Sequence, residues 1–480
     1  MSLRSDVLHS LKWLAGLRFS GQLVAWAVTL VVIRILDPSD YGLMAIAQVM
    51  IGFAALFREM GLYSAMVQVR ELQARQVEQA FGLLLVGNCV IYVILFVSAP
   101  WFATFFGYAP LTNIVRVLGI EFPLAAFGVV QDAMLSRGMK FKRKSFVNLA
   151  VTFGNAFTTL GFALSGAGVW ALVYGHLAGS VIRSVGLVVA ARHWCWPRFS
   201  HKGMAGMLRF GSFMTANRVL WYVYSRADVF IIGKILGTHA LGFYSIAMQL
   251  ASMPMQKVGG LLNQVGLVAY SSVQTDLSVV RSHFLKVVRT LSFVSFPVFW
   301  GMSSVSPELV NVVLGQRWAA AIIPLQLLGL VMPLRMVAHG NSEALPAIGK
   351  PHLGTAYQLM AVLLMPPAFF IGAWYGGIVG AALAWIIAYP ILMLVQLRIT
   401  LRPLGLAYRD YFASMAGPAT GAAIMYLVVA VVRWTVAGPL LAPVAGLVLL
   451  VVVGVLAYAA FMWFVRRVDC HEAIALARAK

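Results

Sequence analysis

Charge is scarce in this chain: 11% of its 480 residues are Asp, Glu, Lys or Arg, and only 15 are acidic. A soluble domain carries roughly a quarter of its residues as charged groups, so a chain folded in water is excluded. Cysteine is scarce too. Cys89, Cys195 and Cys470 lie far apart with no C-x-x-C, a pattern that supports neither a disulfide framework nor a cysteine metal site. No G-x-x-x-x-G-K-[ST] loop is present, so direct ATP use is not expected. Long polar loops are missing as well. The connections around 100–110 and 306–318 are too short for the catalytic loop that a membrane polymerase or ligase needs.

What is plentiful is apolar sequence, at 61% of the chain. A hydrocarbon core about 30 Å thick takes roughly 20 apolar residues per helix. Runs of that kind fall near 12–36, 42–58, 80–100, 111–135, 146–164, 168–190, 208–236, 241–268, 287–305, 318–339, 355–374, 377–397, 411–434 and 439–465. Lipid offers the backbone no partners, so each span must be helical. The prediction is an all-α polytopic membrane protein of about 14 transmembrane helices. The first run is too long for a signal-peptide core and has no A-x-A site, so it is expected to stay as an anchor.

A formal charge of +21 would point a soluble protein toward nucleic acid, but position decides its meaning. Connections 37–40, 100–110, 165–168, 237–240 and 374–377 are nearly free of cations. The alternate ones hold them, most densely at Arg137, Lys140, Lys142, Arg143 and Lys144. By the positive-inside rule both termini are cytoplasmic, and no nucleic-acid partner is expected. Trp101, Trp170, Trp318, Trp374 and Trp434 are then expected at the outer interface, where amphipathic rings sit.

The chain also repeats itself. Arg34-Ile35-Leu36, Gly42 and Ile46-Ala47 recur as Lys234-Ile235-Leu236, Gly242 and Ile246-Ala247. Leu118-Gly119-Ile120 with Pro123-Leu124 recurs as Leu328-Gly329-Leu330 with Pro333-Leu334, and Gly166, Val169 and Ala171 as Gly376, Val379 and Ala381. Each repeat holds an even number of spans, so the two halves share one orientation, as in transporters built from parallel repeats. The expected division is a six-helix lobe over 1–195, a second over 196–405, two extra helices over 406–466 and a cytoplasmic tail over 467–480.

Arg34-Ile-Leu-Asp-Pro-Ser-Asp-Tyr-Gly42, the basic loop from Arg137 to Lys144 and the span number together carry a resemblance. The chain resembles the Wzx-type polysaccharide exporters, lipid-linked oligosaccharide flippases of the multidrug/oligosaccharidyl-lipid/polysaccharide exporter superfamily, to about residue 465. The resemblance implies a bundle of two six-helix lobes that carries undecaprenyl-pyrophosphate-linked repeat units across a bacterial inner membrane. It also implies a place beside a polymerase and a chain-length regulator in exopolysaccharide, O-antigen or capsule biosynthesis.

Such a head group needs a wet passage with cations for its pyrophosphate, and Arg, with its planar fork, is the best suited. On the seventh run Asn217, Trp221, Tyr224 and Asp228 are spaced for one helical face, with Arg218, Tyr222 and Ser225 beside them. Leu220, Val223, Ala227 and Phe230 fall on the reverse. Arg226 stands at the edge of this arc and is expected to reach Asp228. The first run aligns Arg18, Gln22 and Thr29. Ionisable groups inside spans are functional candidates by default. Arg18, Gln22, Asn217, Arg218, Tyr224, Arg226 and Arg335 are therefore the expected substrate-binding residues, with Asp228 and Glu121 as candidates to bind a coupling proton or sodium ion. Arg218, Arg226 and Arg18 could equally hold the bundle together, and Glu121 could pair with Arg116 or with another helix. Asp37 and Asp40 read as a helix cap rather than a metal pair. No catalytic residue, cofactor or metal is expected. An ion-coupled drug exporter of the same superfamily, a membrane polymerase or ligase, and a scaffold for a synthesis complex are the alternatives. The lumen cations speak against the first and the short loops against the second.

Overall fold

The computed structural model describes residues 21–22, 24–59, 61–69, 72–192, 196–199, 205–271, 277–342, 352–437 and 441–465, for some stretches, 205–217 and 256–271 among them, as backbone alone. Every regular element among them is helical: α1 (Val24–Ile35), α2 (Pro38–Ala55), α3 (Leu62–Gln68), α4 (Ala74–Phe106), α5 (Pro110–Gly119), α6 (Glu121–Arg137), α7 (Phe141–Leu164), α8 (Val169–Ala191), α9 (Ala205–Ile235), α10 (Gly237–Ser271), α11 (Leu277–Ser304), α12 (Ser306–Leu309), α13 (Ile322–Ser342), α14 (His352–Leu404), α15 (Tyr408–Val432) and α16 (Pro443–Val465). Among the described residues nine helical segments are long and apolar enough to cross a membrane, α5 and α6 counting as one. The described residues form two compact units divided after Lys234.

Local chemistry sets the helix ends. Asp37 caps α2, its carboxylate accepting from Ser39 N at 3.0 Å, while Asp40 accepts from Asp37 N at 3.1 Å and Pro38 opens the helix. This reciprocal box is the cap expected from the sequence. Along α1, Ala25, Val28, Val32 and Leu36 repeat every three or four residues and pack on Ala156, Ala163 and Ala171.

Two parts of the fold are not in the sequence reading. The first is α3, which buries Leu62 and Met66 against Phe81 and Leu84 of α4 and Val130 and Ala133 of α6. Its final carbonyls, Met66 and Val69, accept from the guanidinium of Arg137. Arg143 likewise donates to the Ala190 carbonyl near the end of α8 at 2.9 Å, and Arg281 to that of Leu404 at the end of α14. Cations of the basic connections thus neutralise the negative ends of helices as well as orienting the chain.

The second is the stretch from 306 to 318, expected as an outer connection with a span beginning at 318. It folds into α12, a π turn (Val310–Leu314) and a 3-10 turn (Gln316–Ala321). Trp318 is consequently fully buried, edge-on to Phe243 with ring centres 5.7 Å apart, and does not belong to an outer aromatic belt. Trp101, Trp374 and Trp434 are 72%, 65% and 86% exposed. Glu308 forms a fork-to-fork ion pair with Arg433 beyond α15, at 2.7 and 2.8 Å.

Near the third repeated block each unit has the same glycine turn, one position out of the block's register. Gly168, between α7 and α8, has φ 57° and ψ −134°. Gly377, which interrupts α14, has φ 57° and ψ −143°. Only glycine takes this region freely. A Cβ at Gly377 would meet open space, so Gly377→Ala isolates backbone strain. It is expected to cost about 1–3 kcal/mol, read as a lower melting temperature in detergent. An unchanged melting curve would show that the turn relaxes. Past the turn, Gly175 and Gly179 let α8 approach Asn155 and Thr159 of α7 closely, the small-xxx-small pattern of membrane helices.

Candidate functional site

In the first unit, α9 presents its faces differently from the sequence expectation. Tyr222, Ala227 and Asp228 are buried, at 8%, 8% and 2% exposure, whereas Trp221, Val223 and Phe230 are at 50%, 40% and 38%. Tyr222 does not belong to an open polar row: its hydroxyl is held at the Gln48 and Val49 carbonyls of α2, 3.1 and 2.9 Å away. Ala227 is not on an outward face. Arg226 is exposed while Asp228 is buried, so the expected Arg226–Asp228 pair does not form, because residues two apart on a helix point to opposite sides. The Asp228 carboxylate accepts from Val229 N at 2.8 Å. Arg218 is exposed and Tyr224 half-buried. Gln22 is half-buried, and the Thr29 hydroxyl is turned back to the Ala25 carbonyl at 2.8 Å. Arg18 and the side chain of Asn217 lie outside the described residues.

The charges that do converge are on α6 and α8. Glu121 opens α6 at 4% exposure and meets His176 Nε2 at 2.6 Å and Arg58 Nη1 at 3.6 Å. Three turns along, Asp132 meets Lys144 Nζ at 2.7 Å and Arg183 Nη2 at 3.6 Å. Lys144 also donates to Tyr63 and Ser136. Since His176 and Arg183 are two turns apart, α6 and α8 are joined twice, by the Glu121–His176 hydrogen bond and by the Asp132–Arg183 ion pair. Between these two links lies a cavity of about 60 Å³, lined among others by Arg58, Glu59, Glu121, Asp132, Ser180 and Arg183. Arg116 takes no part in Glu121's pairing, contrary to the nearer option read from the sequence. Its guanidinium lies over the Phe96 ring, 4.2 Å from the centre, and donates to the Phe96 carbonyl. Arg58, which closes the cavity from the end of α2, was not among the expected residues.

The second unit holds a different arrangement. Arg335, on α13, lies over Trp385 of α14, its guanidinium carbon 4.0 Å from the ring centre, with the sulfurs of Met332 and Met248 at 3.7 and 3.9 Å. Trp385 is fixed by its indole N–H donating to the Tyr244 hydroxyl at 2.9 Å. Among the described residues no carboxylate pairs with Arg335. A larger cavity, about 660 Å³, lies between α11, α15 and α16. Its hydroxyls are already engaged, Tyr458 with the Phe293 carbonyl and Ser304 with that of Gly301. The remaining walls, including Met302, Met425 and Met462, are apolar and offer nothing to a sugar or a phosphate.

Helices of membrane-crossing length and composition, with ionised groups enclosed among them, define a multi-pass membrane protein. The chain belongs to the family described as "Polysaccharide biosynthesis protein", which matches residues 31–323. It is 24% identical over 418 residues to the "Lipopolysaccharide biosynthesis protein WzxC" of Escherichia coli, covering 86% of this chain and 85% of that one. It is also 24% identical over 353 residues to the "Succinoglycan biosynthesis transport protein ExoT" of Rhizobium meliloti, covering 74% and 71%. Its fold is similar to that of a solved structure of lipid II flippase MurJ in an inward closed conformation, with TM-score 0.76 and 13% identity over 95% of this chain and 99% of that one.

Proposed function

We propose that this chain is a flippase that carries an undecaprenyl-pyrophosphate-linked oligosaccharide across a bacterial inner membrane for surface polysaccharide synthesis, and that it is a transporter rather than an enzyme. Membership of the polysaccharide biosynthesis family and relatives named for lipopolysaccharide synthesis and succinoglycan transport support the substrate class. The observation that carries the reading at the level of chemistry is Arg335. It is a permanent cation inside an apolar helix, stacked on a buried indole and without a carboxylate partner among the described residues. A cation so placed calls for an anion from outside the protein, and a pyrophosphate supplies one.

In this reading the chain crosses the membrane about 14 times with both termini in the cytoplasm. Residues 1–195 and 196–405 make two six-span lobes, 406–466 add two spans and 467–480 form a tail. Arg18, Gln22, Asn217, Arg218, Tyr224, Arg226 and Arg335 contact the head group, and Asp228 and Glu121 bind the coupling ion. A polymerase and a chain-length regulator act on the product.

The test is made in cells. Depletion of the protein is expected to stop surface polymer while completed lipid-linked repeat units accumulate on the cytoplasmic leaflet. Normal polymer without such accumulation would refute the reading.

A further inference from the structure

Resting on that reading, we propose that Glu121 and His176 form a proton-exchange site that decides whether Arg58 is free to bind an anionic group of the substrate.

The cavity beside these residues is too small for a sugar. Its volume of about 60 Å³ has room for a few water molecules at most, so what it can pass is a proton. The two carboxylates that flank it are chemically unequal. Asp132 is held between Lys144 and Arg183, both permanent cations. Glu121 has one permanent cation, Arg58, and one titratable partner, His176, among the described residues. Other charged or titratable groups face the cavity: Glu59 from the turn after α2, Tyr63 from α3, and Asp132 and Arg183 from α6 and α8. Lys144, from α7, stands behind Asp132. Arg116 on α5 is turned away onto Phe96.

At 2.6 Å, Nε2 of His176 and Oε2 of Glu121 must share a proton, since two lone pairs would repel at that distance. The other ring nitrogen, Nδ1, has no partner among the described residues, and the side chain is 34% exposed. The imidazole therefore has one nitrogen on the carboxylate and one that is without a partner among the described residues. A proton from water forms a new N–H bond at Nδ1. The Nε2–H bond breaks, and its proton passes to Oε2. The ring is again neutral, Glu121 has become a neutral acid, and one proton has been taken up. Arg58 then loses the carboxylate 3.6 Å away. Its backbone stays in place because Asn88, fully buried, donates to the Arg58 carbonyl at 3.0 Å. The freed guanidinium, with 34% of its side chain exposed, can take a bidentate anion. Loss of the proton restores the Arg58–Glu121 pair and expels that anion. Binding of proton and anion thus favour one another, and by linkage the effect is reciprocal.

Inorganic pyrophosphate serves as the probe, added to the full-length protein in weak buffer with a pH indicator. The unaltered chain is expected to take up about one proton per bound pyrophosphate beyond a protein-free control. Glu121→Gln, which imitates the protonated acid, is expected to bind pyrophosphate at least as tightly and take up none. Arg58→Ala is expected to bind it about tenfold more weakly. His176→Gln keeps a donor to Glu121 without the relay, so the same proton arrives roughly 100-fold more slowly, and this variant keeps the test decisive if Glu121→Gln fails to fold. Pyrophosphate binding without proton uptake, or uptake by Glu121→Gln equal to that of the unaltered chain, would overturn the gate and leave the transport reading standing. Equal rates with and without His176 would overturn the relay. A chain that binds no pyrophosphate at any pH would overturn the gate together with the transport reading.

Discussion

Export through an Arg335→Ala variant is expected to fall roughly 10- to 100-fold at equal abundance in the membrane, the loss that follows when a charge-assisted hydrogen bond to substrate disappears. The guanidinium stacks on Trp385, whose indole is fixed in turn by Tyr244. Neither Met332 nor Met248 offers a negative charge to replace a bound anion. Arg335→Lys is expected to recover only part of the activity, because an ammonium neither lies flat on the indole nor donates a planar pair of hydrogen bonds. Repeat units delivered to the outer leaflet, counted per molecule of protein, decide the matter. Unchanged export by Arg335→Ala would remove this residue from the substrate path.

Asp132→Ala is expected to lower stability by about 3–5 kcal/mol, since it strands Lys144 without its carboxylate in a partly buried setting. Lys144 is the stronger partner, at 2.7 Å and with 23% of its side chain exposed. Arg183, at 3.6 Å and 51% exposed, contributes little because water screens it. The double change Asp132→Ala with Lys144→Met removes both charges and is expected to recover a good part of the loss. Thermal unfolding in detergent measures both. A single variant that melts with the unaltered chain would show that the Asp132–Lys144 pair between α6 and α7 does not hold them together.

The cap at Asp37, Pro38 and Asp40 was readable because it is local: three residues supply their own partners. The glycine turn found at Gly168 and Gly377 was not marked by the third repeated block, which pairs Gly166 with Gly376 and so sets Gly168 against Ile378. Periodicity describes one helix and not its neighbours. It therefore placed Ala227 on the reverse face of α9 and Tyr222 in the polar row, although both are buried and α2 captures the Tyr222 hydroxyl. The same limit hid the partners of Glu121. Arg116 was near in sequence, but His176 and Arg58, 55 and 63 positions away, are near in space. Charge counting missed the capping work of Arg137 and Arg143 for the same reason, as it assigns a cation to a side of the membrane and not to a carbonyl.

Movement of lipid-linked oligosaccharide from one leaflet to the other in vesicles holding only this protein tests the central claim most directly. Labelled repeat unit placed on one leaflet is expected to become accessible to a membrane-impermeant glycosidase on the opposite side at a rate proportional to the protein present. The same lipid in vesicles containing Arg335→Ala is expected to cross far more slowly. Equal rates in vesicles with and without the protein would contradict the account.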